Sequence, residues 1–299
     1  VLLVLFVLLV LKNSLTTNNS LRSYSFALSL HQNFRFDSFG FCTIFADEKD
    51  NNKNQKYMSV KNSIAQCTVA SIVNQDFATA RIFKYFGIDF CCGGNTTLAE
   101  ACRMAGVDID RVVEALSAPA TEGYSIPFDS WPTDLLIDYV LKIHHRGIRT
   151  KGPELLALVE KVAAAHGERH PELYELIDHL RLSLDDLENH LLKEERVLFP
   201  YCYELFDANM RGATMQQMHC GTVANPIRQM HHEHYDEGVR YKFIQKLMNN
   251  FEVPADACAS YRLMLAELEE FMDSLFEHIH IENNILFPRF VVLEAKTVR

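Results

Sequence analysis

Two segments of this chain constrain its fold more than any other feature. "LENHLLKEERVLFP" spans 187–200 and "LFEHIHIENNILFP" spans 275–288. In each, a His is followed four residues later by a Glu, and Leu-Phe-Pro closes the segment at the same offset. An i, i+4 spacing puts the two side chains on one helix face, one turn apart. Leu187, Leu191, Val197 and Leu198 in one copy, and Leu275, Ile279, Ile281 and Ile285 in the other, turn that face at least partly inward. A lone buried carboxylate must find a cation or a proton. A metal ion meets that need, and imidazole with carboxylate suits iron, manganese or zinc. One such pair alone reads as a surface contact worth a few tenths of a kcal/mol. Two copies with the same flanks argue for ligation.

The helices that carry the pairs set the architecture. Residues 133–293 read as four long helices in two hairpins, with turns at "GERHP" (167–171) and "NNFEVPAD" (249–256). That makes a four-helix bundle and an all-α fold. Residues equidistant from a hairpin turn lie at one height. His144 and His190 are centred on Gly167, and His234 and His278 on Asp256. At about 1.5 Å per residue, all four levels lie roughly 35 Å from the turns. The expected ligands are His144, His190, Glu194, His234, His278 and Glu282, enough for two metal ions with each Glu able to bridge. His145 competes with His144, and His232 with His234; the levels favour His144 and His234. His166 lies at the turn and reaches the site only if the chain folds back sharply at Gly152-Pro153.

Upstream, "SAPATEGYSIPFDSWPT" marks a linker over 119–132, and 58–118 reads as a small all-helical domain. Its "CCGG" places Cys91 and Cys92 ahead of a helix capped by Thr96 or Thr97, where a helix N-terminus favours a reactive thiolate. Other readings of the two thiols are docking to a partner, transient metal transfer, or a tight turn with one buried Cys. Residues 294–299 form a tail. The leader, 1–57, opens with an eleven-residue apolar run too short to span a bilayer. The first Met is Met58, so the leader reads as an over-extended reading frame; the alternative is a truncated export signal or membrane tether. A net charge of −10 argues against a nucleic-acid partner. No membrane association is expected. Eight Cys without a stapling pattern suit a reducing compartment.

"NHLLKEERVLFP", "HEHYDE" and "EHIHIENNILFP", preceded by "FGIDFCCGGNTTLAEAC", resemble the iron–sulfur cluster repair di-iron family. That family joins a small Cys-Cys-Gly-Gly domain to a hemerythrin-like bundle. The resemblance covers about Ser63 to Arg289. It implies two iron ions in a non-haem, oxo-bridged di-iron centre, ligated by the four His with Glu194 and Glu282 bridging. It also implies a cytoplasmic protein that restores clusters damaged by oxidants or nitric oxide, as an iron donor more than a turnover enzyme. Its partners would be damaged iron–sulfur proteins, nitric oxide or dioxygen, and a second copy of the chain. The alternative is a hemerythrin-like sensor or carrier of oxygen or nitric oxide. Tyr235, between His234 and Asp236, departs from the His-Asp order expected in the third helix.

Overall fold

The computed structural model describes residues 61–118, 126–219 and 221–298, with two short strands upstream. The strands β1 (Asn33–Phe36) and β2 (Cys42–Phe45) pair antiparallel, with Asn33 opposite Phe45. They belong to a separate unit, Val1–Val60, and the rest of the leader lies outside the described residues. So does 119–125, the first half of the expected linker.

The second unit, Lys61–Arg299, begins with a helical stretch over 61–66 and four further short helices. These are α1 (Val69–Gln75), α2 (Thr79–Tyr85), α3 (Leu98–Ala105) and α4 (Ile109–Ser117). Their ends follow local chemistry. Thr68, Thr97 and Asp108 each accept a backbone N–H from the first turn of α1, α3 and α4. Gly87, with φ 68°, lets the chain reverse after α2.

Four long rods follow. The first joins α5 (Thr133–Tyr139), a π-helical turn (Val140–His145) and α6 (Arg146–His166). The second joins α7 (Glu172–Lys193), a π turn (Glu194–Leu198) and α8 (Phe199–Met210). The third is α9 (Ala224–Leu247). The fourth joins α10 (Ala259–Ile281), a π turn (Glu282–Leu286) and α11 (Phe287–Thr297). The rods close a ring in which α6 packs on α7 and α10, and α9 packs on the same two. Pro153 sits inside α6 without ending it, so the first rod does not fold back. Helix α11 runs through most of the expected tail to Thr297. Among the described residues, no helix is long and apolar enough to cross a membrane.

Both Leu-Phe-Pro triplets lie where a π turn meets the next α-helix. Proline lacks an N–H and its ring crowds the carbonyl four residues back. For Pro288 that carbonyl belongs to Asn284, inside the π turn. It accepts instead from Asn74 Nδ2 of α1, at 3.3 Å. Beyond the π turns the rods enclose an apolar core that includes Ile137, Leu198, Phe199, Ile285, Phe287 and Phe290.

The small helices pack against the fourth rod. His280 is fully buried between them. Its Nε2 lies 2.8 Å from Asn74 Oδ1, and its Nδ1 lies 3.2 Å from both Asn284 Nδ2 and the Phe90 carbonyl. Burial pushes this imidazole down to about 4, so it is neutral. Gly94 makes the contact possible. A Cβ there would lie 2.7 Å from Phe90 O, 2.8 Å from Ala70 Cβ and 2.9 Å from Asn284 Oδ1. Gly94→Ala is therefore expected to destabilise the protein by about 1–3 kcal/mol, as urea denaturation would measure.

Candidate metal centre

The three π turns stand at one level, and each carries or borders a ligand candidate. A π turn adds a residue to the helix and re-aims the side chains around it, a distortion often found at functional sites. Glu194 and Glu282 are the first residues of two of these turns. Both carboxylates are completely buried, and none of their four oxygens has a hydrogen-bond partner. Around them stand four imidazoles. Glu194 Oε2 lies 3.3 Å from His145 Nε2, 3.3 Å from His190 Nε2 and 4.0 Å from His278 Nε2. Glu282 Oε2 lies 2.9 Å from His278 Nε2 and 3.1 Å from His234 Nε2.

The outer nitrogens decide what the inner ones can do. His190 Nδ1 lies 2.9 Å from Glu233 Oε2, and His145 Nδ1 2.9 Å from Glu195 Oε1. His234 Nδ1 lies 2.8 Å from Asn283 Oδ1. Asn283 Nδ2 faces the Cys91 carbonyl at 3.4 Å, which fixes Oδ1 as the atom toward His234. Each of these Nδ1 atoms therefore donates, and each Nε2 of a neutral ring keeps a lone pair aimed inward. Such outer partners orient metal-bound imidazoles and raise their basicity. His190 Nε2 and His234 Nε2 lie only 3.1 Å apart, a contact two lone pairs cannot make without a proton or cation between them.

The electrostatics agree. Burial pushes His278 down to about 4, which leaves it neutral and able to ligate. Burial would lower His190, but Glu194, Glu233 and Glu282 outweigh it and raise the imidazole to about 10. Burial would raise Glu282, yet His278 and His234 hold it well below the usual carboxylate range. The site is thus built around anionic carboxylates that need positive charge. The donor atoms form two overlapping sets, each within 4.8 Å: His190, His234, His278 and Glu282; and His145, Glu194, His278 and Glu282. Sharing His278 and Glu282, they fit a metal site in both donor type and number.

One expected residue lies outside the two donor sets. His144 is buried, but its Nε2 lies 3.5 Å from Glu277 Oε1 and its Nδ1 3.4 Å from Ser274 Oγ. It faces away from Glu194, and His145 takes the inward position. The cause is the π turn over Val140–His145, which changes the phase of the rod. Hairpin levels separate adjacent residues by only about 1.5 Å, so they cannot choose between the two. The structure brings His190, Glu194, His234, His278 and Glu282 together. His232 is exposed beside Asp236, and His166 remains at the far turn. Glu195, Glu233 and Asn283 were missed; the Glu directly before His234 was the one visible hint.

Cys91 and Cys92 sit apart from these two sets, and with Asp89 they form a third group of donor atoms within 4.8 Å of one another. Helix α3 starts at Leu98, well past them. Cys91 is buried, and its contact with Cys92 and its burial push its thiol well up. Asp89 Oδ1 accepts the N–H groups of Cys91 and Cys92, at 3.1 and 2.9 Å, which holds the turn. Cys92 Sγ lies 3.5 Å from the carbonyl of His234, and Gly238 leaves room for that approach.

Comparison with known proteins follows the same division. Residues 65–120 match ScdA_N, a domain of unknown function, and 136–290 match the hemerythrin HHE cation binding domain. The iron–sulfur cluster repair protein YtfE of Musicola paradisiaca is 38% identical over 225 residues, covering 73% of this chain and 92% of that one. Its counterpart in Dickeya chrysanthemi is 37% identical over 221 residues, covering 71% and 90%. That of Yersinia pseudotuberculosis is 35% identical over 212 residues, covering 70% and 89%. The chain belongs to the iron–sulfur cluster repair protein family. Membership accounts for the order of the two regions and for a cation-binding bundle. In this family member, His145→Ala is expected to lower metal affinity by more than about tenfold, the scale on which even an outer partner acts. His144→Ala is expected to retain the metal. Elemental analysis of the folded, gel-filtered variants would compare them.

Proposed function

We propose that this protein repairs damaged iron–sulfur clusters, and that its bundle holds two iron ions on His145, His190, Glu194, His234, His278 and Glu282. The observation that carries the reading is the pair of buried carboxylates whose four oxygens lack hydrogen-bond partners within a shell of imidazoles. Two overlapping donor sets that share His278 and Glu282 support two ions rather than one. Relatives named for cluster repair, matched over 92% and 90% of their own length, support the biological role.

The protein's own residues would do three things. Glu195, Glu233 and Asn283 hold the Nδ1 atoms of three imidazoles and so turn their Nε2 atoms inward. The apolar core beyond the π turns keeps water from that side. A cleft of about 560 Å3, lined by Asp186, Lys193, Glu233, Glu237 and Arg240, reaches His190, His234 and His278 and gives small species access. Iron held by these residues would supply the metal that a damaged cluster has lost. The same cleft would admit nitric oxide or dioxygen, and the partly exposed Cys92 sits beside its His234 wall, where it could meet a client protein. On this reading the protein acts in the cytoplasm as a donor, not as an oxygen carrier.

The test uses the full chain loaded with iron-57. Mössbauer spectroscopy is expected to show paired iron. Incubation with a hydratase whose cluster has been damaged by peroxide is expected to move label into the rebuilt cluster and restore activity. Glu282→Ala is expected to abolish both. Label that stays on this protein while the hydratase recovers would end the donor reading.

A further inference from the structure

The end of the bundle remote from the metal centre carries a second chemical constellation. Cys258 is exposed and is the N-cap residue of α10, a helix of 23 residues. Its side chain makes no capping hydrogen bond. Instead, Sγ lies 3.2 Å from Nε2 of His166, the last residue of α6. His166 is only 7% exposed, and its Nδ1 is buried without a partner. It is neither solvated nor a helix cap, the two roles its position at a turn suggests.

Neighbouring groups hold the pair in place. The Tyr261 ring packs against His166 and His170, with centroids 5.4 and 5.2 Å away. His170 is engaged elsewhere, with Asp256 at 3.1 Å and Glu172 at 2.9 Å. Arg169 also pairs with Asp256, at 2.9 Å. The nearby acids are thus taken up by His170 and Arg169, and His166 is left to face the sulfur alone. A helix N-terminus stabilises an anion placed on it, and an imidazole within hydrogen-bond reach can take a thiol proton.

We propose that Cys258 and His166 form a nucleophilic thiol site that undergoes exchange with small disulfides. The Cys258 proton passes to His166 Nε2. The sulfur then attacks one sulfur of the incoming disulfide, forming a mixed disulfide with Cys258 as the original S–S bond breaks. The departing thiolate takes the proton from the imidazolium, so protons and electrons balance, with the small disulfide as oxidant. Exposure of Cys258 gives the reagent access. The site lies about 30 Å from the metal ligands along α6, so it is chemically independent of them.

The test uses the metal-loaded full chain and oxidised glutathione, with peptide mass spectrometry following each Cys. Cys258 is expected to form the mixed disulfide at least tenfold faster than Cys91 or Cys92 at pH 6.5. Its rate is expected to change little between pH 6.5 and 9.5. His166→Gln, checked for folding by circular dichroism, is expected to slow Cys258 about tenfold at pH 6.5 and to match the parent at pH 9.5. Cys258→Ser should remove the adduct. A Cys258 that reacts no faster than Cys92, or whose rate in the unaltered protein rises steeply to pH 9.5, overturns the proposal, even if the His166 variant fails to fold.

Discussion

Two ionised carboxylates withdrawn completely from water are the constraint on which the structure depends. An ion of that size loses many kcal/mol of hydration on burial unless positive charge or hydrogen bonds replace it. Glu194 and Glu282 have no hydrogen bonds, only imidazoles around them. Everything near them serves that imbalance. The rings are turned by Glu195, Glu233 and Asn283, and the rods are locally unwound so that ligands from different turns meet. Positive charge placed among them relieves a penalty already built into the fold.

Much of this was legible in the chain. The repeated His-x-x-x-Glu pair gave two helices and four residues of the buried cluster, and symmetry about the two turns gave His234 and a first-helix His. A cap at Thr96 or Thr97 was legible from residue type, and the structure uses Thr97; the cap at Asp108 was not singled out. What stayed hidden has one physical origin. A π turn has no composition of its own, because it arises where tertiary packing makes an extra residue worth accommodating. It therefore escaped a reading based on a uniform period, and His144 was preferred to His145. The proline in each Leu-Phe-Pro was the available sign. A proline two residues inside an uninterrupted rod requires the preceding turn to adjust.

The Cys-Cys-Gly-Gly segment illustrates the opposite case, a motif visible in the chain whose meaning depended on packing. Proximity to a helix start suggested activated thiols. In the structure the start lies further on, Cys91 is buried, and the motif serves as a close-packed contact. Gly94 lets it press on Ala70 and Asn284, and Asp89 gathers its amides. Its neighbourhood to His234, through Cys92, could not be inferred from two segments so far apart in sequence.

The Asn283 side chain joins these two themes. One end of its amide holds the His234 ring and the other faces the Cys91 carbonyl, so an atom of the first region helps choose the tautomer of a buried ring in the second. An amide has only two faces, and rotating it would set a donor against a donor. The bundle excised from its partner would lose that arbiter, and spectra taken on the fragment would describe a different coordination chemistry from that of the whole chain.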